Sequence, residues 1–360
     1  MRIDAIGIMP VEMPLHDKDW AFALATVSSA RGYAIRLSAD GIHGYGYAPA
    51  IPHMGSTFEG LPVEFVRFAP LLKKFDPRDM EGLLLKLESS LHGAPQAKAA
   101  IECAAHDLVA RAFGTPLWGL LGGKRTERVP VIRILALKPP DEMATKAEEL
   151  FREGYQYFKI KVHGDINEDV ARVKAVRERV GENAHLTIDA NQSYSPKEAI
   201  LAIDRMARYR VDLFEQPVHR FDLKGLALVT RESPALIEAD EAAGTLEEIS
   251  TIVKDRLADA VSLKIPKLGG LRNARAAARL CAAYGVKYRV GAHVGTRLLN
   301  AHGLHLAVSC PEIDYACELG EFARMDDDPF TGLEVQDGHV ELPKDNGCGV
   351  QPIHDAWQTI

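Results

Sequence analysis

The chain has 360 residues, enough for one barrel-sized domain and a smaller module. Apolar residues make up 47% and charged residues 26%, ordinary globular values that exclude a disordered chain, and no apolar stretch approaches the roughly 20 residues that cross a bilayer. A formal net charge of −7 argues against a nucleic-acid partner, which calls for a clustered basic surface.

The cysteines Cys103, Cys281, Cys310, Cys317 and Cys348 are scattered, odd in number and without the paired spacing of a zinc or redox motif, as expected of free thiols in a reducing compartment. The N-terminus shows no charged lead, apolar run and small-residue cleavage site, so no signal peptide is expected and a cytoplasmic location is.

In chain order, residues 3–15 and 33–47 read as strands, with Asp40-Gly41 as the turn of a hairpin. Together they predict a small antiparallel meander. Residues 17–25 and 50–60 lack a clear period and carry Trp20, Phe22, His53, Met54 and Phe58. Loops with such groups either pack down or cover a binding site. Asp76-Pro77-Arg78-Asp79 predicts a helix start, with Met80, Leu83, Leu84, Leu87 and Leu91 on one face. An alanine-rich helix over 95–113 stops at Gly114-Thr115-Pro116, and a first domain boundary is placed at Gly122-Gly123.

Strand and helix patterns then alternate. Strands are expected over 129–137, 157–162, 185–189, 211–215, 235–240, 260–264, 287–291 and 314–318. Helical segments lie between most of them, for example over 142–153, 168–180, 196–209 and 271–284. Strand ends recur roughly every 24 to 28 positions, the spacing of a βα unit in a closed parallel barrel. A doubly wound open sheet is the alternative, but no G-x-G-x-x-G follows the first strand of the series. The predicted organisation is a capping module over 1–123, a barrel over 124–325, and a tail over 326–360 that returns to the capping module.

Active sites of such barrels are built at the C-terminal ends of the strands. The residues there are Lys159 and Lys161, Asp189, Glu215, Asp240, Lys264, His293 and Glu318. Lys159 and Lys161 share one face of their strand, where two neighbouring ammonium groups are expected to depress each other's pKa. Alone, a Lys-x-Lys is more often an exposed strand edge, and each carboxylate alone is more often a cap or an ion-pair partner. Three carboxylates on three consecutive strands would repel one another without a cation between them, and an all-oxygen site suits magnesium or manganese. Lys161 and Lys264 are then expected to face each other across the barrel mouth. One would remove a proton α to a bound carboxylate, through an enolate, and the other would return it to the opposite face.

Phe158-Lys159-Ile160-Lys161, Ile188-Asp189-Ala190-Asn191, Phe214-Glu215-Gln216-Pro217, Ala239-Asp240-Glu241 and Lys264-Ile265-Pro266-Lys267-Leu268-Gly269-Gly270 resemble the enolase superfamily, specifically its muconate lactonizing enzyme subgroup. The resemblance extends to residues 97–108 and 120–123. It implies an α/β fold, a (β/α)7β TIM-like barrel with an N-terminal α+β capping domain completed by the C-terminal tail. It also implies an essential Mg2+ held by Asp189, Glu215 and Asp240, with Lys161 and Lys264 as acid/base groups and Lys159 anchoring the substrate carboxylate and tuning Lys161. Lys267 competes with Lys264, but the count from Asp240 favours Lys264.

His293 and Glu318 fall where the related mandelate racemase subgroup carries a histidine and a glutamate. That subgroup supports its histidine with an aspartate where this chain has Lys264, so His293 reads as a pocket residue. Substrate-binding groups are expected at Trp20, Phe22, His53, Asn191, His293 and Glu318. Gly44-Tyr45-Gly46-Tyr47 departs from the family's frequent Gly-x-Gly-Glu. The implied activity is a racemase or epimerase acting on an amino-acid derivative. Cycloisomerisation or dehydration is the alternative on the same scaffold, and a non-catalytic binding barrel a remote one. Members of the subgroup are commonly oligomeric, which implies a homo-oligomer acting on a small-molecule carboxylate.

Overall fold

The computed structural model describes residues 1–291, 293–311 and 313–360. Strand β1 (Ala5–Pro14) is followed by a short hairpin of β2 (Trp20–Phe22) and β3 (Ala25–Val27), then by β4 (Ser29–Ala39) and β5 (Ile42–Pro49). Strands β1, β4 and β5 form the expected antiparallel meander. Asp40 and Gly41, at φ 54° and 78°, make its turn, where both central residues must be left-handed. The segment 17–25, expected to be irregular, is instead ordered by pairing of Trp20 with Val27 and Phe22 with Ala25.

Of the helices α1 (Gly60–Leu72), α2 (Met80–Ser90) and α3 (Pro95–Ala112), α1 and α3 pack on this sheet and α2 packs on both of them. Helix α2 begins three residues later than the sequence suggests. Asp79 is its N-cap, accepting from the Gly82 amide at 2.9 Å, while Asp76 is occupied by Arg78. Ile35, Leu37, Phe65, Phe68, Ile101 and Leu108 fill the core between sheet and helices. The small residues of α3 let β5 approach closely, and a Cβ on Gly46 would stand 1.9 Å from the Ala100 carbonyl oxygen.

After the single turn α4 (Leu117–Leu120), the predicted strand over 129–137 divides into β6 (Arg128–Pro130) and β7 (Ile132–Leu135). Pro130 has no N–H to offer a continuing ladder, and β6 pairs antiparallel with a strand of the tail. From β7 the barrel proceeds through α5 (Pro140–Arg152), β8 (Tyr157–Lys161), α6 (Ile166–Val180), β9 (His185–Asp189), α7 (Pro196–Ala207), β10 (Val211–Glu215) and α8 (Leu223–Glu232). It continues with β11 (Leu236–Ala239), α9 (Leu246–Asp255), β12 (Ala260–Leu263), the turn α10 (Ile265–Leu268), α11 (Leu271–Tyr284), β13 (Lys287–Val290) and α12 (Arg297–Ser309). Strands β7 to β13 are hydrogen-bonded in sequence order, all parallel.

The eighth position, expected over 314–318, is reduced to one bridge between Cys317 and Val131. Cys317 donates to the Pro130 carbonyl and Glu318 to that of Val290, both at 3.0 Å, and with Asp314 donating to the Tyr288 carbonyl at 3.4 Å they close the wall. A 3-10 turn, Glu321–Arg324, replaces an eighth helix. The tail adds β14 (Phe330–Thr331), β15 (Val335–Gln336), β16 (His339–Glu341), β17 (Gln351–Pro352) and β18 (Gln358–Thr359). Strand β18 pairs with β1, so the tail completes the capping sheet. Among the described residues no helix is long and apolar enough to cross a membrane.

Candidate active site

The barrel register brings the strand-end groups to one level. Lys161 is paired with Asp189, Asp189 with Glu215, and Glu215 with Glu238. Asp240 and Lys264 follow β11 and β12 directly. Beside them Asn191 and Gln216 hold φ of 40° and 35°, a left-handed backbone that non-glycine residues adopt at a cost and that gathers at functional sites. The Gln216 side chain accepts from the Asp240 and Ala242 amides at 2.9 and 3.0 Å, fixing where Asp240 leaves its strand.

Four lysines interleave with the carboxylates. Lys159 Nζ lies 2.9 Å from Asp189 Oδ2, 2.6 Å from Glu215 Oε2 and 2.6 Å from Glu318 Oε1. Lys161 Nζ donates to the same Asp189 oxygen at 2.5 Å and to Asn191 Oδ1 at 2.9 Å. On the far side Lys264 Nζ donates to Asp240 Oδ2 at 2.5 Å. Lys267 Nζ is tied to Asp240 Oδ1 at 2.7 Å and to the carbonyls of Asp240 and Ser262, a geometry that braces the loop. All of these groups are buried.

The electrostatics follow from this pairing. Burial disfavours the Lys159 ammonium, but Asp189, Glu215 and Glu318 outweigh it and hold its pKa well above the ordinary lysine value. That is the reverse of the mutual depression expected from the sequence, because three carboxylates surround this lysine. Lys264 is likewise raised by Asp240 against the desolvation of burial. Burial, then the charge of Asp189, pushes the Glu215 carboxyl well above its ordinary range. Burial, then the charges of Asp240 and Asp189, pushes Glu241 up to about 7. His293 is driven well below its ordinary value by burial and by Lys264.

The lid hairpin divides its two aromatic residues. The Phe22 ring centroid lies 5.4 Å from Lys161 Nζ and 5.6 Å from the ring of His53, whose pKa is lowered by burial and by Lys264. Trp20 instead packs on Arg324, with the guanidinium carbon 4.2 Å from its ring. Asn191 bridges Lys161 to Glu241, donating at 3.1 Å. Glu318 accepts from Lys159, and both ring nitrogens of His293 are buried without a hydrogen-bond partner among the described residues.

Two groups went unremarked in the sequence. Arg289, fully buried on β13, donates from Nη2 to Glu215 Oε2 and Glu238 Oε2, each at 2.6 Å. The signal was present in the period of two: Glu238 precedes Asp240 by two, as Lys159 precedes Lys161.

Among the described residues, no three His, Cys, Asp or Glu side chains are gathered closely enough to hold a metal as they stand, because lysine ammonium groups lie among the carboxylates. The donor set nevertheless fits a hard divalent cation. Asp189, Glu215 and Asp240 supply oxygens from three consecutive strand ends, and among the described residues Glu215 Oε1 is buried without a hydrogen-bond partner.

Residues 5–122 match the family described as "Mandelate racemase / muconate lactonizing enzyme, N-terminal domain", and residues 142–356 match "Enolase C-terminal domain-like". The chain belongs to the enolase superfamily. Within it the chain is of the muconate lactonizing enzyme-like subgroup and is an isomerase. It is 34% identical to the L-Ala-D/L-Glu epimerase of Bacillus subtilis, over 97% of each chain. It is 29% identical to the chloromuconate cycloisomerase of Delftia acidovorans, over 99% of this chain and 98% of that one. The crystal structure of a dipeptide epimerase from Enterococcus faecalis, complexed with Mg and the dipeptide L-Leu-L-Tyr, superposes with a TM-score of 0.94 at 31% identity, covering 97% of this chain and 99% of that one. Like its relatives in the superfamily, the chain carries out racemisation, epimerisation or cycloisomerisation on this scaffold.

Proposed function

We propose that this enzyme is a Mg2+-dependent racemase or epimerase that abstracts and returns the proton α to a carboxylate, on an amino-acid derivative such as an N-acyl amino acid or a dipeptide. The observation that carries the reading is the opposed pair Lys161 and Lys264. They stand at the ends of β8 and β12, with three strands between them, and each donates to a carboxylate on the strand before or after its own. A base on either side of one carbon is what inversion requires, since one removes the proton and the other supplies it to the opposite face. The names of the epimerases among its relatives support the amino-acid class.

Asp189, Glu215 and Asp240 would hold the cation, which when bound stabilises negative charge developing on the substrate carboxylate. Lys159 anchors that carboxylate, and because Lys159 and Lys161 share Asp189 Oδ2, the charge of one bears on the other. Arg289 and Lys159 compensate Glu215 from below. Phe22 and His53 cover Lys161 and exclude water, Asn191 orients Lys161, and His293 and Glu318 line the far wall. The catalytic barrel is proposed to span 124–325.

The experiment is a panel of N-acylated amino acids, dipeptides, hydroxyprolines, betaines and muconates incubated with the Mg2+-loaded enzyme in D2O. Deuterium uptake at the α-carbon, with otherwise unchanged mass and a change in optical rotation, is the expected result. Loss of water, or ring closure of a muconate without solvent exchange at an amino-acid carbon, would replace this reading with dehydration or cycloisomerisation.

A further inference from the structure

Because the barrel wall ends in a bridge at Cys317 and a 3-10 turn, no helix among the described residues covers its outside between that point and α5. A cavity of about 500 Å³ lies there, between β7, α5, the 3-10 turn and the chain leading to the lid hairpin. It is on the opposite side of the wall from the lysines. Ile134 is the register partner of Lys159, so Arg133 and Leu135 face outward.

The walls mix apolar side chains, Trp20, Leu135 and Met143 among them, with charged ones of both signs, and Arg133 and Arg324 stand among the lining residues. Arg133 and Arg324 are 7% and 8% exposed. Arg133 donates from Nη1 to the Gly320 carbonyl at 3.1 Å, and its guanidinium carbon lies 5.3 Å from the Tyr155 ring. Arg324 forms an ion pair with the buried Glu321 and stacks on Trp20. Nε of Arg133 and Nε and Nη1 of Arg324 are buried without a hydrogen-bond partner among the described residues.

Two buried guanidinium groups thus face a single buried carboxylate. The other charges around the cavity are paired or exposed: Lys138 is bound to Asp17 at 3.1 Å, Lys146 to Glu149 at 2.9 Å, and Glu142 and Glu153 lie in solvent. A buried cation left without a counter-charge is costly, whereas a guanidinium fork matches a carboxylate. One net positive charge among these buried groups, beside Leu135 and Met143, suits a monoanion with an apolar body better than a phosphate.

We propose that this cavity is a second binding site, separate from the lysine–carboxylate centre. It takes a small monocarboxylate whose apolar body lies along Leu135 and Met143 and whose carboxylate meets Arg133 and Arg324. The inference does not depend on the reaction assigned to the barrel mouth.

The test uses the full chain in EDTA, so that metal-dependent carboxylate binding at the barrel mouth is suppressed, with benzoate as probe and thermal unfolding as readout. Benzoate is expected to raise the melting temperature saturably, and inorganic phosphate at matched ionic strength is not. Arg133→Met removes a charge-assisted bond and is expected to weaken the apparent affinity about tenfold or more. Ala323→Trp, at an exposed lining position, keeps both arginines but fills the space and is expected to abolish the shift. If Arg133→Met does not fold, Ala323→Trp decides alone. No saturable shift in the wild type, an undiminished shift in Ala323→Trp, or an equal response to phosphate would overturn the proposal.

Discussion

Lys161 and Lys264 are each bound to one carboxylate oxygen at 2.5 Å, and their exchange of roles is the heart of the proposed reaction. Replacing either by alanine is expected to lower turnover by about 10²- to 10⁴-fold, the usual worth of a positioned acid or base, beyond the loss of stability from leaving Asp189 or Asp240 with one buried cation fewer. Steady-state kinetics beside thermal unfolding separates the two effects. Arg289 behaves differently. It is fully buried and donates to Glu215 and Glu238 while lying 3.6 Å from Glu318, so Arg289→Met leaves like charges unopposed inside the barrel. A loss of about 3–5 kcal/mol in urea unfolding is expected. The strand-end residues could be read from the sequence because their spacing follows the βα unit. Arg289 could not, because its position midway along a strand is that of a core residue, and only the closed barrel shows which carboxylates it meets.

Contacts between the capping helices and their neighbours set two further expectations. The close approach of β5 to α3 leaves no room for a methyl group at Gly46, so Gly46→Ala is expected to cost about 1–3 kcal/mol, measured by urea unfolding. Glu102 of α3 accepts from the amides of Leu271 and Arg272 at 2.8 and 3.0 Å and caps the start of barrel helix α11, while its carboxylate faces His106. Burial pulls the His106 pKa down, but Glu102 outweighs it and the net shift is upward from 6.5. A raised folded pKa stabilises the fold below the unfolded value, and that stabilisation fades as pH rises through the folded one. Wild-type stability relative to His106→Gln is therefore expected to decline with rising pH above 6.5, and Glu102→Gln to flatten the slope. The helices and the meander were legible from period and turn residues. The lid hairpin was not, since Trp20, Phe22 and Val27 give too short a pattern to separate from a loop, and Leu137, more than a hundred residues away, donates to the Ala21 carbonyl. The eighth strand was overstated for the same reason: its alternation is real, but among the described residues Asp314 meets Tyr288 only at its start and Cys317 and Glu318 carry the remaining ladder bonds.

The molecule as a whole joins a capping sheet, completed by β18, to a barrel whose mouth sets four lysines among the carboxylates of Asp189, Glu215, Asp240 and Glu318. If Asp189, Glu215 and Asp240 hold Mg2+ in the folded state alone, saturation at a hundred times Kd adds about 2.7 kcal/mol of stability. Thermal unfolding is expected to show that gain in the wild type and to lose it in Glu215→Gln. The central claim, that two lysines serve opposite faces of one carbon, is tested most directly by proton NMR of α-proton exchange in D2O. Lys161→Ala and Lys264→Ala are each incubated with both enantiomers of a substrate found in the panel. Each variant is expected to exchange the α-proton of only one enantiomer, the two variants choosing opposite ones. Unaltered exchange of both enantiomers in both variants would contradict it.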